Sequence, residues 1–126
     1  MSKQKFLIIM YGKNEEINLD NAIFMSKLKR DFIYIDGNST DKTRTILKEN
    51  KIKFIVEESI NWPTLKNVGY QYAKENKFKW ILMLDADEII SEKTLAYLDN
   101  LDKQNIDSYS LNFKMVFNGK SMNFVT

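Results

Sequence analysis

Residues 79–90 read KWILMLDADEII, an unbroken apolar run from Trp80 to Leu84 that ends in Asp85, Ala86, Asp87 and Glu88. Continuous apolar runs without alternation are the sequence form of strands buried on both faces, and such strands belong to parallel sheets covered by helices. Burial accounts for the run and leaves the acids unexplained. In open α/β sheets, however, ligands bind outside the carboxyl ends of the strands, which is where these acids fall.

Outward from this segment, the chain alternates short apolar runs with segments of helical period, the grammar of strands joined by crossover helices. Phe6 to Met10, Phe32 to Ile35 and Lys53 to Val56 read as three earlier strands, with Trp80 to Leu84 the fourth. Between them, Leu19, Ala22 and Ile23 mark the inner face of a first helix, and Ile46 and Leu47 that of a second, with Ser39, Thr40 or Asp41 as its cap. Pro63 suits the first turn of a third helix, whose apolar stripe is Leu65, Val68, Gly69 and Tyr72. Gly69 inside that stripe predicts close packing of helix on sheet. Ser91 is the expected cap of a fourth helix carrying Leu95, Leu98 and Leu101. The period then changes to two: Tyr109, Leu111, Phe113, Met115 and Phe117 alternate with polar residues and Val116. Asn118-Gly119 predicts a hairpin that returns through Lys120 to Phe124.

With 126 residues, 44% of them hydrophobic, the chain fits one domain spanning 1–126. Nineteen Lys and Arg against 17 Asp and Glu give +2, interspersed, so there is no basic stripe of the nucleic-acid-binding kind. There is no cysteine and no histidine. A disulfide framework and a thiolate zinc site are excluded, any metal must take oxygen ligands, and a neutral-pH base must be a carboxylate, Lys or Tyr. No apolar run reaches the roughly 20 residues of a spanning helix, and no secretory leader is visible at the start, so a cytoplasmic location is expected.

Three polar sets follow strands: Asn14-Glu15-Glu16, Asp36 to Asp41, and Asp85 to Glu88. If the chain stays extended, Asp85 and Asp87 point to one side with Ala86 keeping the space between them open. Paired carboxylates at a strand end suit Mg2+ or Mn2+, which keeps one or two acids, several waters and substrate phosphates. An isolated Asp-x-Asp more often caps a helix or faces water. The company of Asp36 and Glu15 on the same edge turns that balance toward a nucleotide diphosphate, with Asp36 or Glu15 accepting from a base or ribose. Lys66 and Asn67 flank the third helix's stripe, and on pattern alone Lys66 is a solvated lysine.

The stretches IIMYGKNEE, IYIDGNSTDKT, TLKNVGYQYA and ILMLDADE, in this order, resemble the nucleotide-sugar-dependent glycosyltransferases of family 2, which have the GT-A fold. The resemblance covers roughly residues 5 to 117 and lies closest to enzymes of lipopolysaccharide-core and other cell-surface glycans. It implies a Rossmann-like, mostly parallel sheet with flanking helices and a C-terminal antiparallel hairpin. It also implies inverting transfer from a nucleoside-diphosphate sugar, first of all a UDP-sugar, to a glycan or lipid-linked acceptor, with peripheral membrane contact left open. By the same resemblance Asn14 and Glu15 line the nucleoside pocket, Asp36 contacts the base, Lys66 contacts the nucleotide, Asp85 approaches the ribose or the metal, and Asp87 binds the divalent ion.

In two places the sequence departs from the family pattern. Met10-Tyr11-Gly12-Lys13 stands where the family often has a proline and a tyrosine before Asn-Glu. None of Glu88, Glu92, Asp99, Asp102 and Asp107 matches the family's general base, so the chain is expected to be truncated before its acceptor half. A nucleotide-sugar-binding module without turnover is one alternative. A phosphoacceptor signalling domain is another, although the third strand ends in Glu57-Glu58 and offers no acceptor Asp.

Overall fold

The computed structural model describes residues 6–59, 61–78, 80–88 and 90–100 in full, and 112–117 and 120–125 as backbone. Four strands, β1 (Phe6–Gly12), β2 (Phe32–Asp36), β3 (Phe54–Val56) and β4 (Trp80–Asp85), form one sheet of order β3-β2-β1-β4. Every pairing in it is parallel. Helices α1 (Leu19–Ser26), α2 (Thr43–Glu49), α3 (Trp62–Glu75) and α4 (Glu92–Asp99) alternate with the strands. A separate antiparallel pair, β5 (Asn112–Phe117) and β6 (Lys120–Val125), sets Phe117 opposite Lys120, the register that a two-residue loop requires. Leu101, Tyr109, Leu111, Asn118 and Gly119 lie outside the described residues, as do Met1 to Lys5, Lys79 and Ile89. The α/β class, the parallel sheet and the terminal hairpin are as the sequence leads one to expect. Among the described residues no helix is long and apolar enough to cross a membrane.

The strand order overturns the phosphoacceptor alternative. Such domains have the flavodoxin-like order 2-1-3-4-5, with the third strand beside the first, whereas here β2 separates β1 from β3 in the other doubly wound order, 3-2-1-4.

Two apolar layers clamp the sheet. On one face Ile8, Met10, Tyr34 and Leu84 pack with Leu19, Ala22 and Met25 of α1, Leu47 of α2, and Leu95 and Leu98 of α4. On the other, Leu7, Ile9, Tyr11, Ile33 and Ile35 meet Leu65 and Ala73 of α3. The strand buried on both faces is therefore β1, all seven of whose residues are buried. β4 corrects the expectation: it is an outer member of its sheet, its Trp80, Ile81 and Leu82 are half-buried, and Met83 is 39% exposed. Its apolar run reflects two layers that cover it only in part.

Gly69 packs as its place in the stripe predicts: a Cβ there would overlap the Tyr11 hydroxyl and lie 3.1 Å from Ile9 Cδ1. Pro63 falls in the first turn of α3, and Asn61 caps that helix by accepting the Thr64 amide at 3.4 Å. Ser91 caps α4 through the Thr94 amide at 3.1 Å. The cap expected for α2 is displaced, since Lys42 holds the cap position. Asp41 instead accepts the Thr43 amide from one residue earlier, at 2.9 Å, and Ser39 and Thr40 are drawn into other contacts.

Candidate functional site

A doubly wound sheet opens a crevice where neighbouring strands send their connections to opposite sides, and ligands bind there. In the order β3-β2-β1-β4 that point lies between the carboxyl ends of β1 and β4. Register brings the sequence motifs to it: Tyr11 pairs with Asp85, and Gly12 pairs with Asp36. The backbone continues the alignment beyond the strands, with Gly37 N donating to Gly12 O at 2.9 Å and Ala86 N to Tyr11 O at 3.0 Å.

The loops after β1 and β2 are locked to each other by side chains from both motifs. Asp36 is fully buried and accepts the Ser39 amide at 2.9 Å and the Ser39 hydroxyl at 2.5 Å. Ser39 Oγ in turn accepts the Asn14 amide at 2.8 Å, and Asn14 Oδ1 accepts the Thr40 amide at 2.7 Å. The Glu15 amide donates to Thr43 Oγ1 at 3.0 Å, and the Glu16 amide to Asp41 Oδ2 at 3.3 Å. Asn14 and Asn38 hold φ of 54° and 64°, left-handed conformations that asparagine tolerates better than most residues. Burial raises the Asp41 carboxyl, but the hydrogen bonds from the Thr43 hydroxyl and amide and from Glu16 outweigh it and hold that carboxyl below its usual range. The polar residues of NEE and DGNSTDKT thus hold the edge rigid. The Glu15 carboxylate accepts from Asn18 Nδ2 at 2.8 Å, and its backbone frames the crevice.

The third motif is a turn. β4 ends at Asp85, and Glu88 N donates to Asp85 O at 2.9 Å, so the chain does not run on extended through Asp87. Ala86 points away from the acids into the core at 1% exposure, 3.1 Å from where a Cβ of Gly12 would stand. Its small size serves packing and leaves the acids' spacing to the turn. Three contacts fix that turn: Ala86 N to Tyr11 O, Asn21 Nδ2 of α1 to Ala86 O at 3.0 Å, and Asp85 N to Glu88 Oε1 at 2.7 Å.

Partial burial and then the nearby Asp87 raise the Asp85 carboxyl, against a downward pull from Lys66 on α3. Glu88 is likewise raised, first by burial, with its bond from the Asp85 amide acting the other way. The charges of Asp87 and Lys66 thus both act on Asp85 at the end of β4.

Among the described residues no group of three or more acids could by itself hold a metal. Two mutually repelling carboxylates on an open edge nevertheless suit a hard divalent cation that completes its shell with water and phosphate oxygens. Asp85 and Asp87 would hold it, and Lys66 would meet the same phosphates.

Three residues of this edge have tasks that spacing and periodicity do not reveal. Asn21 pins the turn from the inner side of α1. Its polar side chain among Leu19, Ala22 and Met25 is the clue that was there. Glu88 belongs to the quoted acidic run, but its task is to hold Asp85. Tyr34 is fully buried, and its hydroxyl has no hydrogen-bond partner among the described residues. Burial first, then the charges of Asp36, Glu15 and Asp41, push its ionisation up, so the hydroxyl beside Gly12 keeps its proton.

An open, parallel, helix-covered sheet with acids and a lysine at its switch point defines a Rossmann-like α/β protein with a ligand edge. The sequence profile of glycosyl transferase family 2 matches residues 8–120, and the chain belongs to that family. A curated relative, the "Uncharacterized glycosyltransferase MG060 homolog" of Mycoplasma pneumoniae, is 33% identical over an alignment of 78 residues that covers 55% of this chain and 25% of the relative. The chain therefore spans about a quarter of the length of that protein.

Proposed function

We propose that this chain binds a nucleoside-diphosphate sugar, with a UDP-sugar as the first candidate, for inverting transfer to a cell-surface glycan or lipid-linked acceptor. One observation carries the reading: Asp85 and Asp87 stand at the sheet's switch point beside Tyr11, whose hydroxyl reaches Lys66 O of α3, so that the Lys66 charge acts on Asp85. A diphosphate needs cationic charge at that place, and Lys66 together with Mg2+ or Mn2+ held by Asp85 and Asp87 would supply it. The metal would supply charge stabilisation for the departing nucleoside diphosphate.

Family membership makes glycosyl transfer the class of chemistry in view. Within it, the protein's own residues divide the work. Asn14 and Asp36 shape the nucleoside side by bonding Thr40 and Ser39, and Glu15 frames it, so that the crevice is preformed before the donor arrives. Asp36 acts from behind, because its carboxylate is buried and engaged.

The test is calorimetric titration with UDP-, GDP- and CMP-sugars, with and without Mn2+. Metal-dependent binding of one donor, lost in Asp87→Ala, is the expected result. Equal binding with and without the ion, or none to any nucleotide, would defeat the proposal.

A further inference from the structure

We propose that the indole of Trp62 is the platform on which the donor's nucleobase stacks, an inference that rests on the nucleotide-sugar reading above. A nucleobase is a flat, polarisable ring that binds most simply against an exposed aromatic face. Among the described side chains β1 and β2 offer none: Tyr11 and Tyr34 are 2% and 0% exposed. Trp62, in the first turn of α3, is 49% exposed.

The ring is held in place for such a contact. It stands edge-on to Tyr11, centroids 6.5 Å apart at 66°, and the Tyr11 hydroxyl donates to Lys66 O at 3.4 Å. Asn61 caps the helix immediately before it, and Pro63 stiffens the backbone immediately after. Trp62 does not belong to the helix's core stripe, which runs through Leu65, Gly69 and Ala73. Its open face is therefore left over from packing.

Position along the helix completes the case. α3 begins at the carboxyl edge, with Lys66 at the level of Tyr11 and its register partner Asp85, while Tyr70 lies at that of Met83, to whose sulfur its hydroxyl donates at 3.4 Å. Trp62 is one turn further out than Lys66, about 6 Å at 1.5 Å per residue. Phosphates held between Lys66 and Asp85 would place a ribose across that turn and a base against the indole. Leu65, beside Trp62, closes the nucleoside side, its Cδ1 lying 3.5 Å from the point a Gly37 Cβ would occupy.

Intrinsic fluorescence tests this with Mg2+ present and Trp80→Phe as background, so that Trp62 is the sole indole. UDP, GDP and CDP are titrated in parallel with inorganic pyrophosphate. The expected result is saturable quenching by at least one nucleotide and none by pyrophosphate. Trp62→Ala should weaken that nucleotide about tenfold by calorimetry, Trp62→Phe should recover most of the loss, and pyrophosphate affinity should not change. Nucleotide binding without quenching, or Trp62→Ala weakening pyrophosphate and nucleotide equally, would overturn the stacking role while the donor reading stood. No binding of either probe would overturn both.

Discussion

Asp36 accepts both the amide and the hydroxyl of Ser39, at 2.9 and 2.5 Å, while fully buried at the end of β2. Ser39 Oγ then receives the Asn14 amide, so one hydroxyl links two loops of the crevice. Ser39→Ala leaves a buried carboxylate and an amide each short of a partner, which costs about 1–3 kcal/mol. Asp36→Ala should cost more, about 3 kcal/mol, as it strips the whole cluster of its acceptor. Urea midpoints measure both, and a Ser39→Ala change within about 0.5 kcal/mol of the parent would show the link to be idle.

The alternation of strand and helix was legible because apolar periodicity is a local property, and β1 through α4 follow it. What periodicity cannot convey is which strands neighbour each other. The run Trp80 to Leu84 reads as buried on both faces, yet β4 is an outer strand and β1 an inner one, buried throughout. The acids of the edge were legible as residue types, but not in their tasks. Asp36 is turned inward onto Ser39, and Glu88 onto the Asp85 amide, because hydrogen bonds three residues apart compete with ligand contacts and nothing in spacing reveals the winner. Asn21 and Tyr34 act across the fold, from positions that look like ordinary helix and strand residues.

Gly12 and Tyr34 form a steric pair. A Cβ on Gly12 would overlap the Tyr34 hydroxyl and come within 2.8 Å of Glu15 Cγ. Gly12→Ala should therefore destabilise by about 1–3 kcal/mol. Tyr34→Phe alone should be neutral or mildly stabilising, because it deletes a buried hydroxyl with no partner among the described residues. Combining the two should recover part of the Gly12→Ala loss. Strict additivity in a thermal-unfolding cycle would contradict the steric account.

Asp41 joins the same loops through its carboxylate, and those bonds hold its ionisation below the usual carboxylate range. A carboxyl depressed in the folded state contributes stability that is fully present above its unfolded value and disappears as pH falls through the folded one. The stability difference between the parent and Asp41→Asn should accordingly be constant from neutral pH to about pH 4 and shrink at more acid values. The raised Asp85 and Glu88 act with the opposite sign, and they cancel because both proteins carry them. A difference that stays flat to the acid limit would mean that the bonds from Thr43 and Glu16 do not depend on charge.

Asp85 sets function against stability. Its carboxyl is raised by partial burial and by Asp87, so at neutral pH its charge opposes folding, and the opposition fades as pH falls through the raised value. Asp85→Asn should hold the fold as well as the parent or better, by roughly 0.5 kcal/mol or less given solvent screening. Asp87→Ala should behave similarly, since it removes the charge that Asp85 feels. If the two acids jointly hold the cation, each substitution must also remove metal-dependent nucleotide binding. A contact to a charged group is worth about 1.5–3 kcal/mol, so the expected loss is about 10- to 100-fold. Thermal unfolding and calorimetry on the same samples would thus move in opposite directions. Were either variant less stable by more than about 1 kcal/mol, the pair would be structural, and lost binding would then report damage to the turn instead of a missing ligand.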